Sequence, residues 1–357
     1  MLAFLFGAAA VAACSSSGSS AAPAPAASGT PSQLVYVSST NGTAMQVSAF
    51  PTGAGGNIAP VKTIGGSQTQ LDDPQSIVFD AAGNLYVVNA GANPGTSGML
   101  DPSITVYAKG SSGNVAPTRV IQGSNTGFAS ASGLGGLAVD AAGELYVPEH
   151  NGSEACTPNG CTVDAGDTIA IFAPNANGNV APVRTISSTA CYSAASVAIA
   201  SSANIEVACS EPSVDGSVEG DIVTFAPDAS GNAIPLSVIH GPSRSFYAIA
   251  PSPLGMLFVS GQLPFLAVLG YPETASGNAL PTTTLEPAGW YPAALAEDAN
   301  ATLYVLNAAS PASVWEYGSN ANGASSPMFV ISGSNTGLPN CSSSSPCGVG
   351  GVAVGPP

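Results

Sequence analysis

A Gly-Asn pair followed three residues later by Pro recurs along this chain: GGNIAP at 55–60, SGNVAP at 112–117, NGNVAP at 177–182, SGNAIP at 230–235 and SGNALP at 276–281, with NGASSP at 322–327 as a degenerate sixth copy. A second series interleaves with it: an apolar strand, a turn and another strand. Its clear copies are IVFDAAGNLYVVN from Ile77, LAVDAAGELYVPE from Leu137 and ALAEDANATLYVLN from Ala294; VAIASSANIEVAC from Val197 and AIAPSPLGMLFVS from Ala248 are diverged. Successive Gly-Asn pairs are 46 to 65 residues apart. Periods of this size mark arrays of supersecondary units that bury their surfaces on one another.

Each unit reads as four short strands, on the signals of alternation, β-branched residues and Gly/Asn/Asp turns. In the third they are GLAVD, ELYVP, TIAIFAP and APVRTI. The DAAGN and DAAGE turns have Asp to bind nearby backbone and Gly to take a positive φ. Variable stretches join strands two and three, and the Gly-Asn segment joins three and four. Four-stranded units at this period are propeller blades, and six Gly-Asn segments predict an all-β, six-bladed β-propeller of antiparallel blades. With Gly 42 and Pro 30, long helices are disfavoured. There is no Gly-X-Y period, and 45% hydrophobic residues can support a core. QLVYVSST at the start of the folded part matches a second strand with no first strand before it, and Gly351–Val354 near the end matches a first strand with nothing after it. Their pairing would close the ring and remove two exposed edges.

DPQSIVFDAAGNLYVVN and GLGGLAVDAAGELYVPE resemble NHL-type repeats: a Pro or Gly, an apolar strand, Asp, a Gly-Asn turn and an aromatic-containing second strand. The resemblance covers about residues 33–357 and implies a propeller. It implies no single activity, because that superfamily spans protein-binding and RNA-binding modules, calcium-dependent lactonases and a peptide-amidating lyase. The lactonases hold calcium near the channel with Glu, Asn and Asp. Glu149, Asn89 and Asn307, each after a second strand, match those types and are the tentative calcium set. No EF-hand spacing is present, and the equivalents in blades four and five are Ser210 and Ser260.

Residues 1–13, MLAFLFGAAAVAA, fit a signal peptide's apolar core. Val11–Cys14 then resembles a bacterial lipobox, which makes Cys14 the lipidated residue, although no basic residue precedes Lys62. Residues 14–32 read as the lipidated Cys and a flexible Ser/Ala/Pro tether, and 33–357 as the propeller. The expected location is the bacterial cell envelope, periplasmic or cell-surface. Membrane contact is expected through the lipid anchor only, and the protein is expected to be a monomer.

The other cysteines fall in local couples, Cys156 with Cys161, Cys191 with Cys209 and Cys341 with Cys347. An even number in an exported chain suggests disulfides, but six cysteines allow 15 connectivities. CTPNGC lacks the nearby His or second close pair that zinc requires.

In a propeller, the loops from strand two to three and from strand four to the next blade share one face. Every long insertion and all six later cysteines map there, so a ligand is expected at that loop-rich face, near the central channel. Blades two to four carry its acidic residues, among them Asp72, Asp73, Glu149, Asp167, Glu211 and Asp221. Blades five and six place Phe246, Tyr247, Trp290 and Tyr291 before their inner strands. Candidate ligand-binding residues are therefore Gln75, Asn89, Glu149, Phe246, Tyr247, Trp290, Tyr291 and Asn307. His150, beside Glu149, is a surface histidine in its plain reading and a general base in its sharper one. Net charge of −16, from 21 acidic and 5 basic residues, opposes nucleic-acid binding. No nucleophile elbow, P-loop or HExxH occurs, and no catalytic residue is assigned. The leading function is a non-enzymatic binding module for a protein, peptide or glycan; the alternative is a calcium-dependent lactonase or esterase-like hydrolase.

Overall fold

The computed structural model describes residues 33–41, 44–91, 102–128, 133–150, 154–157, 160–163, 167–212, 218–242, 245–262, 266–340 and 348–357. It is a six-bladed propeller of four-stranded antiparallel blades. From the channel outward, blade 1 comprises Val349–Gly355, Leu34–Asn41, Ala44–Pro51 and Lys62–Gly65. Blade 2 comprises Pro74–Phe79, Leu85–Asn89, Ser103–Tyr107 and Arg119–Ile121. Blade 3 comprises Ala138–Val139, Leu145–Glu149, Thr168–Phe172 and Arg184–Ser187. Blade 4 comprises Ser193–Ile199, Ile205–Pro212, Val218–Phe225 and Ser237–His240. Blade 5 comprises Ser245–Pro251, Met256–Gln262, Ala267–Pro272 and Thr283–Leu285. Blade 6 comprises Pro292–Glu297, Leu303–Asn307, Ser313–Tyr317 and Phe329–Ser332. Cys14, the segments 1–13 and 14–32, and Cys341 and Cys347 lie outside the described residues.

The second strands LYVVN, LYVPE and LYVLN are buried at every position. They are continuous apolar runs because both faces of a blade pack on neighbours. The core accordingly divides into six clusters, each spanning one blade-to-blade interface. Asp80 and Asp140 turn the chain as expected, each Oδ1 accepting the backbone N–H four residues on at 2.8 Å. Asp298 does the same for Thr302.

The Gly-Asn segments do more than turn the chain. Each crosses to the outer strand of the preceding blade and adds a short parallel bridge: Gly56 to Ile331, Gly113 to Ile64, Gly178 to Ile121, Gly277 to Ile239 and Gly323 to Leu285. Gly231 pairs likewise with Ile186. The Gly178 amide donates to Val120 O at 2.6 Å, and Gln122 donates back to Gly178 O. An outer edge that would otherwise template aggregation is thus covered from within. The Asn finishes the join: Oδ1 of Asn57, Asn114 and Asn179 accepts the backbone N–H of Asn335, Gln68 and Asn125 in the preceding blade. These acceptor loops are a further repeat, IGGSQTQ, IQGSNTG and ISGSNTG, from residues 64, 121 and 331. Their glycines must be glycine: at Gly123, φ is 121° and a Cβ would lie 2.7 Å from Asn179 Oδ1. Arg119 and Arg184 hold the same junctions, donating to Ala176 O and Ala229 O of the next blade.

Ring closure is non-covalent, with Val349–Gly355 antiparallel to Leu34–Asn41. Between blades 1 and 6 the Gly53 N–H donates to both carboxyl oxygens of Glu316, at 3.1 and 3.0 Å. A disulfide joins Cys191 to Cys209 within the cluster between blades 3 and 4. The hairpin Glu154–Thr157 with Gly160–Val163 sets Cys156 opposite Cys161 in backbone register.

Two outcomes follow. The disulfide closes a loop with a sequence separation of 18, so a C191A/C209A double variant should lose about 3 kcal/mol in urea unfolding; an unchanged midpoint would contradict this. Burial, partly offset by the Gly53 N–H, pushes the Glu316 carboxyl up from 4.5 to about 7. The folded chain therefore keeps a proton that the unfolded chain has released, and stability falls as pH rises from about 4.5 to about 7. E316Q should flatten this dependence and be the more stable form at pH 8, as read by thermal unfolding across pH.

Candidate functional site

The inner strands enclose a channel of about 520 Å³, lined by residues 75–79, 134–139, 195–199, 247–251, 293–297 and 350–354 together with His150. About half of its lining residues are Ala, Gly or Ser, and adjacent inner strands approach closely. The Gly136 N–H donates to Ala195 O at 2.9 Å. A Cβ on Gly351 would stand 2.8 Å from Ile77 N. Where the chain runs from inner to second strand, the channel end is apolar, ringed by Phe79, Val139, Ile199, Pro251 and Val354, with Glu297 the exception. Burial raises the Glu297 carboxyl above its ordinary range, while Ser252 hydrogen-bonds to it and lowers it.

At the loop-rich end the candidates separate by the alternation of extended chain. Phe246 and Trp290 are buried, Phe246 between blades 4 and 5 and Trp290 between blades 5 and 6. Trp290 donates Nε1–H to Leu266 O at 2.7 Å. Their neighbours face the other way: Tyr247 lines the channel and stacks on the half-buried Tyr291, centroids 6.5 Å apart. Burial, reinforced by Tyr291, pushes the Tyr247 phenol up to about 12. Gln75 lines the same mouth, and its carbonyl accepts the Ser38 hydroxyl.

Asn89, Glu149 and Asn307 are buried at the ends of second strands and stand outside the channel lining. Asn89 Oδ1 accepts the Asp72 N–H at 3.0 Å, and Asn307 Oδ1 accepts the Tyr291 N–H at 2.6 Å. Both amides thereby pin the loop leading into their own blade. Glu149 accepts the Thr168 hydroxyl. A calcium ion at these three positions would compete with those bonds, and among the described residues no group of three or more His, Cys, Asp and Glu side chains is placed to hold a metal.

His150 is a channel residue that sequence alone left ambiguous. Its Nδ1 lies 2.7 Å from Asp167 Oδ2, and that oxygen also accepts the Ala194 N–H. The pair joins the end of blade 3's second strand to the start of its third, and through Ala194 to the entry of blade 4's inner strand. Position after a second strand was the available signal for His150; for Asp167 it was membership of the loop-rich face's acidic set, with nothing to pair the two.

No protein-family model matches the chain, and no curated protein matches it in sequence. Among solved structures, a protein of unknown function from Bacteroides caccae is similar in fold, with a TM-score of 0.57 and 10% identity over 91% of this chain and 99% of that one. The PQQ-bound aldose sugar dehydrogenase of Streptomyces coelicolor matches with a TM-score of 0.45 and 14% identity over 72% of this chain and 80% of its own. The WD40 β-propeller domain of Doa1 matches with a TM-score of 0.45 and 11% identity over 77% of this chain and 86% of its own. The Bacteroides likeness is one of fold alone.

The two aromatic neighbours should respond oppositely to truncation. W290A should cost about 3–5 kcal/mol, the usual range for a buried aromatic, whereas Y291A, half-exposed, should cost under about 1 kcal/mol. Equal losses in chemical denaturation would mean that both rings belong to the core.

Proposed function

We propose that this chain is an NHL-like, lipid-anchored, extracytoplasmic binding module, held in the cell envelope by Cys14, that takes a peptide, protein or glycan at its loop-rich face. The observation that carries this reading is the channel mouth. There the stacked pair Tyr247 and Tyr291 stands with Gln75 and His150 over walls of small residues. Aromatic faces beside hydrogen-bonding groups suit a sugar ring or a peptide side chain. The positions are fixed by a rigid ring, while the loops around them are free to vary in length and composition. An acidic chain with few cations also suits a ligand other than nucleic acid.

Peptide and glycan arrays probed with the full chain test the reading. A Y247A/Y291A double variant that stays folded should lose capture by about tenfold or more, the usual scale for a central aromatic anchor. Undiminished capture by that variant would overturn the assignment, and calcium-dependent turnover of a lactone or ester would replace it with the hydrolase reading.

A further inference from the structure

Among the described residues the channel lining holds three ionisable side chains: His150 and Tyr247 at the loop-rich mouth and Glu297 at the turn end. Glu297 has no counterpart in the other blades. The matching inner-strand positions are Phe79, Val139, Ile199, Pro251 and Val354, each opposite an apolar residue of its own second strand. Glu297 stands opposite Leu303 in the same register. One carboxyl is thus set into a ring of five apolar side chains, at the end of a cavity of about 520 Å³.

The fold leaves this carboxyl underused. Asp298, the next residue, is fully engaged in its turn: Oδ1 accepts the Asn300 and Thr302 N–H groups, both at 2.9 Å, and Oδ2 accepts the Tyr304 hydroxyl. Glu297 takes a hydrogen bond from Ser252, but its buried Oε2 has no hydrogen-bond partner among the described residues. No Lys, Arg or His of those residues forms an ion pair with it. The charge beside it is that of Asp298, of the same sign. A carboxylate withdrawn from water without a counter-ion is costly, and a ligand that brings a positive charge removes that cost.

The surroundings decide which cation fits. Calcium takes about six to eight oxygen ligands, whereas the side chains of this ring offer one carboxyl and otherwise carbon. A protonated amine matches both parts. Its N–H groups donate to the carboxylate in charge-assisted hydrogen bonds, and its carbon stem lies against the apolar side chains, the usual division of labour in a small-molecule site. We propose that the turn end of the channel binds a primary ammonium ion on a short apolar stem, with Glu297 as its counter-ion and Phe79, Val139, Ile199, Pro251 and Val354 around the stem. This site lies at the opposite end of the channel from the loop-rich mouth and stands whatever that mouth holds.

Titration of the full chain, methyl-labelled at Ile and Val, with n-butylammonium tests the proposal by NMR. The methyl signals of Val139, Ile199 and Val354 should shift to saturation. 1-Butanol, similar in shape but uncharged, should bind about tenfold more weakly or worse, the scale of a hydrogen bond to a charged group. That comparison is made on the unmodified chain and needs no variant to fold. E297Q, which keeps the side chain's size, should lose a similar factor for the amine and none for the alcohol, while Y247A/Y291A should bind the amine as the parent does. No saturable shift, equal affinity for amine and alcohol, or undiminished amine binding by a folded E297Q would each overturn the proposal. Calcium moving the same methyl signals at lower concentration would overturn it in favour of an inorganic cation.

Discussion

The short parallel bridge from each Gly-Asn segment to the outer strand of the blade before it is the interaction on which the rest of the structure depends. A four-stranded blade of this kind has two apolar faces and one open edge, and it can satisfy neither alone. The faces are buried in six separate interface clusters, and the open edge receives the neighbour's glycine amide at 2.6–2.7 Å in blades 1, 2, 4, 5 and 6. Glycine is required because the segment must turn through a positive φ, 60° at Gly323 and 88° at Gly56, while its backbone lies against another strand. Hydrophobic burial brings the blades together without direction. The bridge supplies the direction and sets one blade's position relative to the next.

That constraint also shapes the channel. With outer strands stitched, the inner strands are drawn together until some touch backbone to backbone, as Gly136 does against Ser196. Small residues stand at the tightest of these contacts, as Gly136 and Gly351 do, and the channel wall carries few polar side chains. Aromatic and polar side chains stand instead near its ends: Tyr247, Gln75 and His150 at the loop-rich mouth, and Glu297 in an apolar ring at the other. The two sides of the ring differ for the same reason. Short turns occupy one, and the other carries the insertions.

The architecture was legible in the sequence because it is written as a repeat. Gly-Asn spacing gave the number of blades, the DAAGN turns gave the strand boundaries, and the split first blade gave the closure. The role of the Gly-Asn segment was not legible, because its partner, the IQGSNTG loop, belongs to the previous unit and is kept only in blades 1, 2 and 6. At the candidate site, residue type could be read from the sequence but side-chain orientation could not. Trp290 and Tyr291 read alike as aromatics at a channel mouth, yet adjacent residues of extended chain face opposite ways, so Trp290 is buried against blade 5 and Tyr291 is not. Asn89 and Asn307 have the right atoms for a ligand, but in the fold their amide oxygens hold backbone. Asp167 was read as one acid among several, and its pairing with His150 could not be read because the two meet across 17 residues of chain.

Native-state hydrogen exchange of the glycine amides in the Gly-Asn segments tests this account most directly. Local sequence would class Gly113, Gly178, Gly277 and Gly323 as turn residues, whose amides exchange quickly. If they stitch the ring, they should exchange only through global unfolding, as slowly as the buried second strands. Exchange at the rate of exposed turns, with the second strands still protected, would mean that burial alone orders the blades and would contradict the central role given to the bridge.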